Sequence, residues 1–203
     1  MGLATIIRKC KLKEKERRVL ILGLDNSGKS TCLARWQLTH STNIHDNHEN
    51  NAEEYLKDIP PTFGFEIKTI QLENCRVVLW DIGGQKSLRP FWRTYFEDAS
   101  DGLVWVIDST DVHRLREALT ELVGQLQLAK CLFVAIVANK QDLPGAVGRE
   151  ELEPVFRKYL DVLPRLEWRL FAGSALMGTG DVNQAFSWLI EEIQKRKSSH
   201  LLK

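Results

Sequence analysis

The segment "LGLDNSGKST", residues 22–31, contains the pattern Gly23, four residues, Gly28, Lys29, Ser30. Glycines at this spacing let consecutive backbone N–H groups cradle phosphates at a helix N-terminus. The lysine can reach the outer two phosphates, and the serine hydroxyl can bind a Mg²⁺ ion that offsets their charge. The pattern therefore predicts a phosphate-binding loop. Its predicted ligand-binding residues are Asp25, Asn26, Ser27, Gly28, Lys29, Ser30 and Thr31.

The sequence on either side of this loop fits the motif. "RRVLILG" is typical of a buried strand and "STCLARWQL" of a helix, which is the strand-loop-helix setting that a phosphate loop requires. A chance glycine turn is the alternative, and this context argues against it. Asp25 places a carboxylate where a polyphosphate would lie. We expect its side chain to turn away from the phosphates while its N–H points toward them.

A second motif, "WDIGGQ" at residues 80–85, ends another strand-like run. Asp81 is placed to hold Mg²⁺ through water, and Gly84 has an N–H available for a terminal phosphate. Gln85 is placed to orient an attacking water. Together with Lys29, which would stabilise charge spreading over the phosphates, Gln85 is predicted to be catalytic.

Two further motifs concern the base of the nucleotide. In "NKQD", residues 139–142, Asp142 can accept two hydrogen bonds from the N1–H and exocyclic amine of guanine, a pattern that adenine lacks. In "SAL", residues 174–176, the N–H of Ala175 can donate to the guanine oxygen. Each motif alone could be an ordinary polar strand end, but four motifs in this order predict a guanine nucleotide. The predicted base-binding residues are Asn139, Lys140, Asp142, Ser174, Ala175 and Leu176.

The elements that must position these motifs alternate between strand-like and helical patterns, which predicts an α/β fold with a doubly wound sheet and helices on both faces. Strands are predicted at 17–23, 63–72, 75–81, 102–108, 131–138 and 167–172, and helices at 29–39, 111–129, 149–160 and 181–196. Glu73-Asn74 predicts a hairpin turn, so one of the six strands should be antiparallel. Ligands should bind at the carboxyl ends of the parallel strands, where the motifs lie.

Composition limits the class of protein. The 203 residues, 43% of them hydrophobic, suit one domain with a substantial core. A net charge of +1 gives no indication of a nucleic-acid partner. The four cysteines lie far apart without a CxxC pair, and the chain shows no membrane-spanning run. We expect a cytoplasmic monomer, with peripheral membrane or cytoskeletal association left open.

Along nearly its whole length the chain resembles the Arf and Arf-like group of small GTPases. The segments that carry the likeness are "GLDNSGKST", "PTFGF", "WDIGGQ", "RPFWRTYFEDASDGLVWVIDSTD" and "ANKQDLPGA". The resemblance implies the small-GTPase P-loop fold and a switch that hydrolyses GTP to GDP slowly with Mg²⁺ until a GTPase-activating protein (GAP) accelerates it. It also implies that Thr62 binds Mg²⁺ in the GTP state, beside Ser30 and Asp81.

The same resemblance implies partners. Effectors would bind the GTP state through an apolar surface of Phe65, Trp80 and Tyr95, and an exchange factor would complete the cycle. The implied pathways are trafficking of lipidated cargo, tubulin or microtubule biogenesis, or Arf-type membrane traffic. Glu66 stands where the group usually has Asn, which bears on partner choice, and Gly173 stands where it usually has Cys.

A polar insertion near residues 40–58 makes the first switch loop roughly a dozen residues longer than the group's, a length that surface loops tolerate. His40, His45 and His48 could suggest a metal site. The composition, rich in Asn, His and Glu with few apolar residues, favours instead a solvated, mobile loop.

The N-terminus has two interpretations. Apolar residues at helical spacing and a basic face predict an amphipathic helix over residues 1–16, which would lie on a membrane or pack on its own domain. Gly2 is an unfavourable myristoylation site because Ile6 stands where that motif needs Ser or Thr. The GTPase domain should span residues 17–197, followed by a flexible tail at 198–203.

Two other classes of function stay open at this stage. A P-loop kinase would bind ATP and need an acceptor pocket and lid, and it would leave "NKQD" without a role. A nucleotide-locked scaffold would keep the binding motifs and lack hydrolysis; Gln85 argues against it.

Overall fold

The computed structural model describes residues 16–40, 52–97, 100–128 and 133–201. The predicted N-terminal helix lies almost wholly outside these residues, as does the insertion from 41 to 51, including His45 and His48. The strands are β1 (Glu16–Leu22), β2 (Phe65–Gln71), β3 (Arg76–Ile82), β4 (Gly102–Asp108), β5 (Phe133–Asn139), β6 (Glu167–Ser174) and β7 (Thr179–Gly180). The helices are α1 (Lys29–His40), α2 (Ala52–Lys57), α3 (Trp92–Glu97), α4 (Val112–Leu128), α5 (Arg149–Leu160) and α6 (Val182–Leu201), with a 3-10 turn at Arg89–Phe91.

The sheet has the order β2-β3-β1-β4-β5-β6-β7. Its four central pairings, from β3 through β1, β4 and β5 to β6, are all parallel. The predicted α/β fold with a mostly parallel sheet is therefore confirmed. The structure adds a seventh strand, β7, which pairs antiparallel with β6 and was not predicted because two residues carry no periodic pattern.

The predicted hairpin is formed by β2 and β3, which pair antiparallel with Ile67 opposite Trp80. The N–H of Leu72 donates to the carbonyl of Cys75 at 2.9 Å and closes the turn at the predicted residues 73 and 74. Among the strands that the structure describes, β2 pairs only with β3 and so forms one edge of the sheet.

The core lies on both faces of the sheet, and the central strand β4 shows how it is divided. Val104 and Val106 pack on one face with α1 and α6. Leu103, Trp105 and Ile107 pack on the other with α4 and α5. Alternate side chains of a strand point to opposite faces, so a strand covered on both sides is apolar throughout.

The parallel pairing places the carboxyl ends of β1, β3, β5 and β6 on the same side of the sheet. The phosphate loop follows β1, Asp81 lies near the end of β3, Asn139 ends β5 and Ser174 ends β6. All four motifs therefore meet at the carboxyl ends of the strands, where ligands of parallel α/β sheets bind.

Three local expectations need correction. Residues 52–57 of the insertion form helix α2 rather than a solvated loop, because Leu56, only 3% exposed, packs in the core. Helix α3 and the turn before it were not predicted, since six residues are too few to show helical periodicity. Helix α6 continues to Leu201, into the segment predicted as a tail from residue 198. Within the part of the chain that the structure describes, no helix is long and apolar enough to cross a membrane.

Helix α2 generates the first prediction. Leu56→Ala should lower the free energy of unfolding by about 2 kcal/mol, near the lower end for buried leucines because a short surface helix can partly close the gap. Urea denaturation at a fixed GDP concentration measures this. The control is Glu54→Ala at an exposed position of the same helix, which should change stability by less than about 0.5 kcal/mol. Equal effects of the two substitutions would show that α2 does not pack on the domain.

Candidate nucleotide-binding and hydrolysis site

The phosphate loop depends on close backbone approach at its two glycines. A Cβ atom at Gly23 would lie 2.1 Å from the carbonyl oxygen of Val106, and one at Gly28 would lie 2.2 Å from the side-chain nitrogen of Asn139. Both glycines also have positive φ angles, 146° and 89°, which other residues rarely adopt. The N–H of Cys32 donates to the carbonyl of Gly28 at 2.9 Å, which starts α1 directly behind the loop.

Lys29 extends back over the loop that precedes it. Its Nζ donates to the carbonyl of Leu24 at 2.8 Å, and the residue is 6% exposed. Burial lowers the pKa of Lys29 to about 8, against the opposing effect of the nearby Asp81 and Asp25 carboxylates. Within the described residues this buried ammonium forms no direct ion pair with a carboxylate, and a phosphate group would supply an anionic partner.

The three residues predicted to hold Mg²⁺ lie together. The hydroxyl oxygens of Ser30 and Thr62 are 2.7 Å apart, and Thr62 donates to Oδ2 of Asp81 at 3.2 Å. Ser30 also donates to Oδ2 of Asp81. The other carboxylate oxygen of Asp81 is buried without a hydrogen-bond partner, and burial raises the pKa of this carboxyl despite the Ser30 hydroxyl.

These features fit a hard divalent cation. Magnesium takes oxygen ligands, commonly one or two carboxylates together with waters and substrate phosphates. A buried carboxylate with one unsatisfied oxygen beside two hydroxyls provides such a donor set. The residues Ser30, Thr62 and Asp81 therefore suit Mg²⁺. His40 belongs to no group of three or more metal-binding side chains among the described residues.

Gly84 and Gln85 approach the phosphate loop from the end of β3. A Cβ at Gly84 would lie 2.4 Å from the backbone nitrogen of Asp25, so only glycine permits this approach. Gln85 donates from Nε2 to the carbonyl of Thr62 at 3.2 Å, while its Oε1 is buried without a partner. A cavity of about 370 Å³ lies between the phosphate loop, residues 59–62 and residues 83–85.

The Asp25 side chain lies toward α4, where Arg114 donates to its Oδ1 at 3.1 Å. Arg89, 6% exposed, approaches the same oxygen at 3.5 Å. The Arg89 guanidinium also donates to the carbonyl of Gly84 at 3.0 Å and to Glu117 and Glu121 at 2.7 and 3.3 Å. The carboxylate thus serves a charge network beside the loop, in agreement with the expected orientation.

Neither arginine was identified from the sequence. Arg89 begins the segment "RPFWRTYFEDASDGLVWVIDSTD" that carries the family resemblance, but no role was assigned to it, and Arg114 lies outside the quoted motifs. Several of their partners lie far along the chain. Trp92 was also missed: its ring N–H donates to the carbonyl of Gly83 at 3.0 Å. Because Trp92 and Arg89 hold the two successive glycine carbonyls, the peptide that carries the Gly84 N–H has a fixed orientation.

The base-binding motifs are joined by Asn139, which is 3% exposed. Its side-chain nitrogen donates to the carbonyl of Ser27 at 2.9 Å, and its oxygen accepts the N–H of Ala175 at 2.9 Å. Lys140, with φ of 65°, donates to Asp108 at 2.6 Å. Asp142 is exposed in the turn after β5. The structure therefore brings "NKQD" and "SAL" beside the phosphate loop.

The three predicted effector residues form one aromatic cluster. The ring centroids of Phe65 and Trp80 are 5.8 Å apart, those of Phe65 and Tyr95 are 5.8 Å apart, and those of Trp80 and Tyr95 are 6.1 Å apart. Phe65 is half-exposed at the edge strand. The cluster lies where β2 and β3 meet α3.

Comparison with known proteins agrees with this geometry. The model of the ADP-ribosylation factor family matches residues 3–193. The chain belongs to this family. It is 41% identical to ADP-ribosylation factor-like protein alp41 of Schizosaccharomyces pombe and 39% identical to ADP-ribosylation factor-like protein 2 of Dictyostelium discoideum, with 97% of each chain covered in both cases. The Arf-family resemblance seen in the motifs is confirmed.

A solved structure extends the comparison to the site. The Arl6 BBS3 small GTPase of Trypanosoma brucei, determined with the nucleotide analogue GppNp bound, has a TM-score of 0.71 and 27% identity, over 89% of this chain and 98% of that one. As a member of the Arf family the chain is a small GTPase, which binds guanine nucleotides and hydrolyses GTP.

Arg89 generates the second prediction. Arg89→Met should lower the free energy of unfolding by about 2 kcal/mol, less than a fully buried ion pair because the facing carboxylates are partly exposed. It should also weaken binding of a GTP analogue more than binding of GDP, since Gly84 is expected to contact only the terminal phosphate. Urea denaturation and titration calorimetry measure the two effects.

Lys86 provides the matched control. It lies in the same turn and also pairs with Glu117, at 3.7 Å, but its side chain is 81% exposed. Lys86→Met should change stability by less than about 0.5 kcal/mol and leave both affinities unchanged. A loss of stability in Arg89→Met with an unchanged ratio of the two affinities would contradict the role of Arg89 in orienting Gly84.

Proposed function

We propose that this Arf-family GTPase is a Mg²⁺-dependent switch that hydrolyses GTP to GDP slowly and binds effectors in its GTP state. The observation that carries the proposal is the contact between residues 59–62 and residues 83–85. Thr62 lies at the proposed Mg²⁺ site, 2.7 Å from Ser30, and its carbonyl accepts a hydrogen bond from Gln85. Because the segment around Thr62 contacts both the metal site and the water-orienting glutamine, its conformation can depend on whether a terminal phosphate is bound.

The chain's own residues support each part of the hydrolysis. The loop N–H groups and Lys29 bind the phosphates and stabilise the charge that spreads over them. Gln85 has a buried oxygen without a partner, which can accept a hydrogen bond from the attacking water. Ser30, Thr62 and Asp81 would hold Mg²⁺, which when bound offsets the negative charge of the outer phosphates.

The two arginines beside the loop do not act as a built-in arginine finger in this arrangement. Arg89 is engaged by Glu117 and Glu121, and Arg114 by Asp25 and Asp111. Intrinsic turnover should therefore be on the order of 10⁻⁴ per second until a GAP supplies a free cation. An exchange factor would complete the cycle.

Guanine specificity in this proposal rests on Asp142, which would accept from the N1–H and the exocyclic amine. Asp142→Asn should shift preference from GTP toward xanthosine triphosphate, because the amide can donate to the carbonyl that replaces the amine. Competition binding with the two triphosphates measures the shift. Asp161→Asn, the same change at an exposed position after α5, is the control and should leave preference unchanged. Unchanged GTP affinity in Asp142→Asn would rule out the role of Asp142 in guanine recognition.

The remaining rival is a nucleotide-locked scaffold, which would bind GTP without hydrolysing it. Gln85→Leu removes the water-orienting amide and should slow GAP-stimulated hydrolysis by about 10³-fold or more, within the range that the complete GAP-assisted arrangement contributes. Single-turnover hydrolysis measures the rate. Gln127→Leu, the same change at an exposed position of α4, should hydrolyse at the normal rate. Wild-type protein that never hydrolyses GTP with any GAP would favour the scaffold.

The partner surface is proposed to be the aromatic cluster of Phe65, Trp80 and Tyr95. Phe65 and Trp80 lie on the β2–β3 hairpin, which carries Asp81 and ends two residues before Gly84, while Tyr95 lies on α3. Nucleotide state and partner surface therefore share the hairpin. Similarity to ADP-ribosylation factor-like protein 2 sequences supports a place in that branch, with a role in lipidated-cargo trafficking or tubulin and microtubule biogenesis. Arf-type membrane trafficking is the alternative.

The proposed location is the cytoplasm, with peripheral membrane contact through residues 2–16 or association with the cytoskeleton. The basic, amphipathic pattern of residues 2–16 supports the membrane contact.

A further inference from the structure

The guanidinium of Arg35, on α1, lies against the loop of residues 174–178. Its Nε donates to the carbonyl of Ala175 at 2.8 Å, and its Nη2 donates to the carbonyl of Leu176. One rigid planar group therefore holds two successive carbonyls. A Cβ atom at Gly178, where φ is 69°, would lie only 3.1 Å from the guanidinium carbon, so the loop is shaped around this side chain.

The opposite side of the same loop faces the nucleotide site. The N–H of Ala175 donates to the side chain of Asn139 at 2.9 Å, and that asparagine also binds the carbonyl of Ser27 in the phosphate loop. The N–H of Ala175 and the carbonyl that Arg35 holds belong to one residue and are separated only by its two backbone torsions. A fixed carbonyl therefore restricts where the N–H points.

We propose that Arg35 is a positioning residue for guanine recognition. By holding the carbonyls of Ala175 and Leu176, it fixes the Ala175 N–H, which donates to Asn139 in this structure, where that N–H can be shared with the 6-oxygen of the base. This inference rests on the proposed function, the binding of a guanine nucleotide, and on the role in reading the guanine oxygen that the "SAL" motif predicts for the Ala175 N–H.

The chemistry of the side chain suits this role. Hydrogen bonds from a charged guanidinium are stronger than those from neutral donors, and its fork matches paired oxygens with a geometry that lysine lacks. Burial lowers the pKa of Arg35, while Glu53 on α2 acts in the opposite direction and favours the charged form. Arg35 lies on the helix that starts at Lys29, so it connects the phosphate-binding helix to the base-binding loop.

Three nucleotides separate this role from general loss of structure. GDP carries both the 6-oxygen and the exocyclic amine. Inosine diphosphate keeps the 6-oxygen and lacks the amine that Asp142 would read. In 6-thioguanosine diphosphate the amine is kept, and a sulfur, which is a weak acceptor, replaces the 6-oxygen. Affinities of wild-type protein and variants for all three are measured by titration calorimetry.

In Arg35→Gln we expect affinity for GDP and for inosine diphosphate to fall by the same factor, about tenfold, as expected when a hydrogen bond to a charged group is lost. Affinity for 6-thioguanosine diphosphate should fall by about twofold or less. The control Arg157→Gln makes the same change on α5, where the arginine pairs with Glu153 and Asp161. It should leave all three affinities unchanged.

An equal fall for all three nucleotides, or no fall for GDP, would overturn the proposal. A fall for GDP that spares inosine diphosphate would also overturn it, because the effect would then act through Asp142. Should Arg35→Gln not fold, Arg35→Lys takes its place; one retained donor should give the same pattern at about threefold. Failure of the guanine-reading role on which the inference rests would look different, because wild-type protein would then bind GDP and 6-thioguanosine diphosphate equally well.

Discussion

The side-chain amide of Asn139 joins the two halves of the site. It is buried at the end of β5, donates to the phosphate loop at Ser27 and accepts from the base loop at Ala175. Its nitrogen occupies the space where a Cβ at Gly28 would lie, so the amide also requires glycine at that position of the loop. A site built from three separate strand ends thus obtains its geometry from one group that satisfies both its donor and its acceptor.

The Gly83–Gly84 segment after β3 depends on peptide orientation rather than on side-chain chemistry. Gly83 and Gly84 have no side chains to fix them, and a Cβ at Gly84 would collide with the phosphate loop. Their carbonyls are held by Trp92 and Arg89, two residues of the turn and helix that follow. A flexible sequence is in this way given one conformation by its neighbours, beside the cavity that Gly83 and Gly84 line.

Sequence alone predicted the parts of this structure that depend on local spacing. The phosphate loop, the hairpin turn at Glu73 and the apolar run of β4 are each contained within a short segment. The parts that were missed depend on contacts between distant segments. Arg35 and Ala175 are 140 positions apart, and Asp25 and Arg114 are 89 apart, so no short sequence motif can reveal either contact. Helix α2 was missed because its composition is polar, and a single buried leucine holds it in place.

The two edges of the sheet have a consequence for self-association. An open edge offers unpaired backbone groups to another copy of the same sheet, a common route to aggregation. At one end, β7 is only two residues long and gives little to pair with. At the other, β2 carries the ion pair of Glu66 and Lys68 at 2.5 Å, and charged side chains on an edge strand disfavour edge-to-edge pairing with another sheet. Glu66, the residue that departs from the usual Asn, therefore contributes to keeping copies of this chain apart in concentrated solution.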